Sequence, residues 1–360
     1  MQEQSISMPE LQKPAGDAEP PSIMRMAIVG TPRCGNTWLR GLLASAYHAS
    51  QQAVHDPADV TWDQLSPRAV LQLHWLPTPE FLAQLAGAGF KPISIARHPL
   101  DTLLSILHFA QNPICAPTAR WLQGRCGDES AIENCLPCSQ KFLDYAVSAR
   151  AAALLEVTCR WWERPDVIRV RYEDLVTDTR THLARLVTVL GPPMQPDLDA
   201  IIDFHRVDRF RGRSATMLHH AWNSQAGSWR QLLPAPQARR IFEAHADVFE
   251  RLGYSCDPDE SLSPDDADGC WYKMELARQR RDVQELWKRV KTAEAPLEEV
   301  LQQLDTAAVG LADTQHELER FAGIGPNTLA MVRLVKRWAA RMPAAARLIR
   351  FLVKKLVRNP

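Results

Sequence analysis

Nothing in this 360-residue chain is apolar for long enough to cross a membrane, because no stretch reaches the ~18 uncharged apolar residues of a spanning helix. The N-terminus, MQEQSISMPELQKPAGDAEPPS, has neither a basic leader nor an apolar run, so a secretory signal is not expected. The eight cysteines are scattered rather than framed, which fits reduced thiols in a cytoplasmic protein better than a disulfide scaffold. Charge of one sign is missing in two places. Residues 257–268 (DPDESLSPDDAD) carry six acids and no base, and after Glu319 there are ten Lys/Arg and no Asp or Glu. The formal net charge of zero therefore conceals an acidic linker and a basic tail.

With 46% hydrophobic and 23% charged residues, the chain can bury a sizeable core. Residues 1–23 are polar and proline-rich and read as disordered. From Met24 the pattern is strand, loop, helix: MAIVG, a glycine-bearing turn, then a helix opening near Thr37 and running to about Ala49. PISIAR (92–97) is a second buried-type strand, followed by a helix from about Pro99 to Ala110. VIRVRY (167–172) is a third, followed by a helix over Thr179–Leu190 that Gly191-Pro192-Pro193 stops. Apolar strands alternating with helices predict an α/β fold, a parallel sheet flanked by helices in the manner of P-loop nucleotide-binding proteins. Segment 113–140 reads as an irregular insertion, and a helix over 236–252 closes the domain, taken as 24–256. Beyond an acidic linker at 257–270, apolar spacing over 271–322 predicts a helical hairpin or coiled coil, with Pro296 at its junction. The α-helical extension ends in a basic amphipathic segment, 326–360, interrupted at Pro343.

The first loop, IVGTPRCGNTWLR (28–40), places Gly30 and Gly35 where the triphosphate-binding pattern G-x-x-x-x-G-K-[ST] has glycines, and Thr37 where it has the hydroxyl. The lysine position is Asn36, and a basic residue appears three places earlier as Arg33. The next strand ends in Arg97, not in the Asp that would hold magnesium. A glycine-rich turn before a helix aims backbone N–H groups and the positive helix end at one phosphate. These residues thus describe a phosphate site without triphosphate machinery, or else a tight strand–helix turn of purely structural purpose. Arg97 leaves a strand's C-terminal end and Ser105 follows two helical turns later, so both can face the crevice where open α/β sheets bind ligands. Trp38 and Tyr172 offer flat faces for an adenine ring, or else pack in the core.

Pro32-Arg33-Cys34-Gly35-Asn36-Thr37-Trp38 resembles the loop P-K-S-G-T-T-W of sulfotransferases that use the activated sulfate donor 3′-phosphoadenosine 5′-phosphosulfate, PAPS. Arg97-His98-Pro99-Leu100-Asp101, with Ser105, is similar to that family's R-N-P-K-D-x-x-x-S. Val170-Arg171-Tyr172-Glu173-Asp174-Leu175 resembles V-x-Y-E-D-L, and Gly227-Ser228-Trp229-Arg230 resembles G-D-W-K. The four stand in the family's order. The resemblance implies transfer of a sulfuryl group from PAPS to a hydroxyl acceptor, with no metal required. It implies that Arg97 and Ser105 hold the donor's 3′-phosphate, and that Gly35, Asn36 and Thr37, in the loop with Cys34, hold the 5′-phosphate. It also implies that Trp38 and Tyr172 hold adenine, and that Arg33 stands for the lysine at the bridging oxygen. His74, in LQLHWLPTPEFL, resembles the base of the family's K-T-H-L-P segment; His98 and His108 are competing bases.

Two departures bear on this. Gln72 replaces the lysine two places before the base, and Trp222-Asn223-Ser224 stands where the family has an R-K-G arm over the 3′-phosphate. Arg209, Arg211 and Arg213 are candidate substitutes. A degenerate donor-binding or scaffold protein, and a nucleotide kinase or NTPase, therefore stay open as alternatives. Cys115, Cys126, Cys135 and Cys138 fall within 24 residues, yet lack the paired knuckles of a zinc site. The acceptor is open among glycan, lipid-linked sugar and small alcohol. The tail, 326–358, suits an anionic membrane surface at the inner face or a helical partner. No nucleic-acid reader motif is present, and no nucleic-acid partner is expected.

Overall fold

A computed structural model describes residues 23–111, 128–206 and 225–292. Five strands, β1 (Met24–Val29), β2 (Ser50–Ala53), β3 (Arg68–Leu73), β4 (Phe90–Ala96) and β5 (Ile168–Arg171), form one sheet in the order β2-β3-β1-β4-β5. Every pairing is parallel, with Met24 opposite Arg68 on one side of β1 and Arg25 opposite Phe90 on the other. The α/β expectation holds. Between them run α1 (Asn36–Tyr47), α2 (Pro79–Gly87), α3 (Pro99–Ala110), α4 (Gln140–Ala146) and α5 (Ala149–Trp162). After β5 come α6 (Tyr172–Thr177), α7 (Thr179–Leu190), α8 (Leu198–Phe204), α9 (Ala235–Ala244), α10 (Ala246–Leu252) and α11 (Pro264–Thr292).

The central strand is buried almost throughout, which its apolar run requires once helices cover both faces. One core lies between the sheet and α1, α7 and α8, with Leu39, Leu42, Leu43 and Tyr47 meeting Ile28, Ile93 and Leu183. The larger core joins α3, α4, α5, α9 and α10 around Trp229, Phe142 and Phe249, and it takes in Trp271 of α11. Local chemistry sets the helix ends. Ser139, Ser148, Asp178 and Asp197 accept the backbone N–H groups of Phe142, Ala151, Thr181 and Ala200. Pro79 and Pro99 stand in first turns, where the missing N–H is harmless.

The structure differs from the sequence reading at several boundaries. β2 and β3 were not expected, and Tyr172 opens α6 instead of ending a strand. The helix read over 236–252 breaks at His245, whose buried ring donates from Nε2 to the Ala146 carbonyl at 2.7 Å. The 113–140 segment contains α4's first residue and a helical turn at Asp128–Ile132. α11 starts inside the stretch read as a linker, with Ala267 and Trp271 buried. Residues 1–22, 293–360, Cys115, Cys126, Arg209, Arg211, Arg213 and Trp222-Asn223-Ser224 lie outside the described residues. No described helix is long and apolar enough to cross a membrane.

Candidate functional site

Strand order decides where the site must be. From β1 the chain crosses to the β2–β3 side, and from β4 it crosses to β5, so the crevice opens between the C-terminal ends of β1 and β4. The loop after β1 carries Arg33, and the residue after β4 is Arg97.

The loop is held from behind. Thr31 donates its N–H to Thr158 Oγ1 at 2.8 Å, and its hydroxyl donates to the Leu154 carbonyl at 2.7 Å, both on α5. Asn36 turns its amide inward and donates to the Thr31 carbonyl at 2.9 Å. The position that is lysine in triphosphate loops is thus a buried strut of the turn. Cys34 is buried too, its Sγ 3.5 Å from Thr102 Oγ1, and burial pushes its thiol up to about 11. What Cys34 can give a ligand is therefore backbone, not thiolate. Arg33, Gly35, Thr37 and Trp38 are the half-exposed members. Gly35 has φ +98, and a Cβ there would lie 2.6 Å from the Tyr172 ring. Arg33 itself takes a left-handed φ of 71.

Tyr172 lies against Gly35, with the Arg97 guanidinium 4.6 Å from its ring centre and Trp38 edge-on at 6.3 Å. Trp38 is pinned by donation from its indole N–H to the His205 carbonyl at 3.0 Å. Arg97 is buried and donates to the Arg33 carbonyl at 3.3 Å. Arg33 in turn donates from Nε to Ser105 Oγ at 3.3 Å, over the Phe109 ring at 5.2 Å. Gly35, Trp38, Tyr172, Arg97, Arg33 and Ser105 are therefore one contiguous group, assembled from the segments that follow β1, β4 and β5.

His74 follows β3 and is buried. Its Nδ1 donates to the Gly30 carbonyl, the only sense possible toward a carbonyl, at 2.9 Å. Nε2 is then the acceptor nitrogen, and Gln72 Nε2 lies 3.5 Å from it. Burial pushes the His74 pKa down to about 4; the Gly30 bond opposes this, and the charges of His55, Arg33 and Arg40 reinforce it. A neutral imidazole at the loop's edge can accept a proton at neutral pH.

The competing histidines are engaged elsewhere. His98 stacks on Trp229 at 5.0 Å and donates from Nε2 to the Ser255 carbonyl at 3.0 Å. His108 faces Glu275 of α11 at 3.3 Å. Four residues escaped assignment from sequence. Asp101 accepts the backbone N–H groups of Gly227 at 2.7 Å and Trp229 at 3.0 Å, tying the second motif to the fourth. Glu173 accepts from the His98 N–H and the Tyr254 hydroxyl, tying the third motif to the second. Both acids stood inside quoted motifs, so a signal existed. Thr158 had none, lying 127 residues from Thr31; Arg40 closes the quoted 28–40 stretch and is buried on α1. Among the described residues no group of three His, Cys, Asp or Glu could hold a metal ion. Cys135 is buried, and burial pushes Cys138 up to about 12.

A family model described as a sulfotransferase domain matches residues 24–253. Among curated proteins none matches. Solved structures do. A mouse sulfotransferase complexed with PAP is 16% identical over 63% of this chain and 85% of its own, with a TM-score of 0.49. Retinol dehydratase, in complex with androsterone and the inactive cofactor PAP, is 13% identical over 64% and 82%, with a TM-score of 0.43.

Proposed function

We propose a function from one premise: the chain belongs to the sulfotransferase-domain family, and is therefore a transferase. The reaction we assign moves the sulfuryl group of PAPS to a hydroxyl-bearing acceptor, with His74 as base. The observation that carries this reading is the His74–Gly30 bond, which fastens an imidazole to the first residue of the phosphate loop at 2.9 Å and makes Nε2, beside Gln72, the accepting nitrogen.

The donor is a substrate, and the residues present suit its chemistry. Backbone N–H groups at the start of α1, with the Thr37 hydroxyl, suit the 5′-phosphate. Arg97 and Ser105 suit the 3′-phosphate, Arg97's guanidinium being held over the Tyr172 ring, 4.6 Å from its centre. Trp38, half-exposed and edge-on to the buried Tyr172, suits adenine. In the reaction the acceptor oxygen bonds to sulfur as its proton passes to His74 Nε2. The bond from sulfur to the bridging oxygen breaks, and its electron pair leaves on the 5′-phosphate of adenosine 3′,5′-bisphosphate, PAP. Arg33, charged at every relevant pH, neutralises the developing charge but does not readily give up a proton. Arg33 and Arg40 add positive charge on the side where Gln72 replaces the family's lysine.

The acceptor class assigned here is any accessible alcohol, carbohydrate and lipid-linked sugars included. A kinase or NTPase reading is disfavoured because Asn36 is turned into the loop. The test is release of labelled PAP from PAPS with an acceptor library, beside phosphate release from ATP. Sulfuryl transfer that falls by ~10²–10⁴ in His74→Ala supports the assignment. Phosphate release from ATP with no PAPS turnover would overturn it.

A further inference from the structure

The matched domain ends at residue 253, yet the fold does not. α11 returns to the donor side of the molecule and packs on α3, the helix that carries Ser105. Trp271 is buried in the same core as Leu104 and Leu107 of α3, and its ring centre lies 6.3 Å from that of His108. Glu275, one turn further along α11, pairs with His108 Nε2 at 3.3 Å and with Arg278. Burial pushes His108 down to about 4 in spite of that carboxylate. Burial also works against ionisation of Glu275, but His108 and Arg278 hold its pKa well below the usual carboxylate range. The contact is thus a neutral imidazole N–H donating to an ionised carboxylate. His108 stands three residues after Ser105, on the same helical face, and immediately before Phe109. Ser105 accepts from Arg33, and Phe109 supports the Arg33 guanidinium. The path from Glu275 to the phosphate-facing groups is therefore short: one charge-assisted contact, then one turn of α3.

We propose that α11 is a working part of the donor site, in which Glu275, acting through His108, is a positioning residue that sets the last turns of α3 so that Ser105 meets the 3′-phosphate. This rests on the PAPS reading above. Its consequence is selective. Losing Glu275 disturbs the 3′-phosphate groups, whereas the 5′-phosphate loop is anchored independently to α5 through Thr31 and Thr158.

The experiment is calorimetric titration of the full chain with PAP and, separately, with AMP, which lacks the 3′-phosphate. Glu275→Ala should weaken PAP by about tenfold, the size of one charge-assisted hydrogen bond, and leave AMP unchanged. Glu275→Gln keeps an oxygen for the His108 N–H and should recover most of the loss. Two results would overturn the proposal: PAP affinity unchanged in Glu275→Ala, or PAP and AMP weakened alike, the sign of a merely structural helix. If the wild-type chain shows no preference for PAP over AMP, the donor reading itself falls, and this inference with it.

Discussion

Replacing Gly35 by alanine tests the loop's geometry with two penalties that can be estimated separately. The backbone there has φ +98, a region that costs an L-residue about 1–2 kcal/mol. The added methyl would also sit 2.6 Å from Tyr172 Cδ2 and 2.9 Å from Cε2, roughly 1 Å inside the contact distance of carbon atoms. The ring has no easy retreat, being buried under Arg97 and beside Trp38. Overpacking of this kind costs about 1–3 kcal/mol, so the sum is about 2–5 kcal/mol. For a domain of this size the expected fall in melting temperature is roughly 5–15 °C. Because the displaced ring carries Arg97 with it, PAP affinity should fall as well. Gly87→Ala serves as the control: nothing lies within 4 Å of a Cβ there, so stability should hold or rise slightly. The assay is thermal melting with and without PAP. A Gly35→Ala protein that melts with the wild type and binds PAP equally would show that neither the turn nor the Tyr172 contact is as described.

Four further expectations follow from the same contacts. Since burial lowers the His74 pKa to about 4, the acid limb of the PAPS-dependent rate should fall well below the ordinary histidine value, and a limb near pH 6.5 would contradict the buried base. His74 and His108 both have lowered folded pKa values, so the unfolded chain takes up their protons first. Stability is then full above about pH 6.5 and declines as pH falls toward about 4. Urea midpoints at pH 7 and pH 5 measure this, and His74→Gln should flatten the slope. Asp101→Ala strips two backbone N–H groups of their acceptor at 225–231 and should cost about 2–4 kcal/mol by denaturant melting; a cost below ~1 kcal/mol would deny the tie. Thr158→Val removes the partner of the Thr31 N–H and should cost about 1–3 kcal/mol while also weakening PAP; unchanged affinity for PAP would show that the loop needs no anchor on α5.

Sequence pattern reached the parts of this molecule whose physics is local. β1 and β4 are largely apolar runs, β5 alternates Ile and Val with arginine, and α3 and α7 carry their own start or stop residues, so their expected bounds agree with the fold within a residue or two. β2 was invisible because Ser50–Ala53 is a mostly exposed edge strand with no apolar run to announce it. β3 is a short apolar run, with Arg68 at its start and Gln72 within it breaking the pattern. α5, rich in alanine and ending in two tryptophans, carries no motif, although its Thr158 fixes the loop. At the site, motif spacing named the residues that the fold gathers around Tyr172 and Arg33. The acids that tie the motifs together act across 75 to 128 residues of sequence, a distance that no periodicity reports. The same blindness applied to α11, whose acidic first turn reads as linker until Trp271 and Glu275 are seen to meet α3.

Asp101 and Glu173 give the family's signatures a second meaning. Asp101 sews the second signature to the fourth, Glu173 sews the third to the second, and Arg97 joins the second to the first, so the motifs form one seam. Searching for sequences by those motifs selects first for molecules whose seam is shut. Retaining them certifies the vessel; the base we propose for it, His74, stands outside all four signatures and is tied instead to the Gly30 carbonyl.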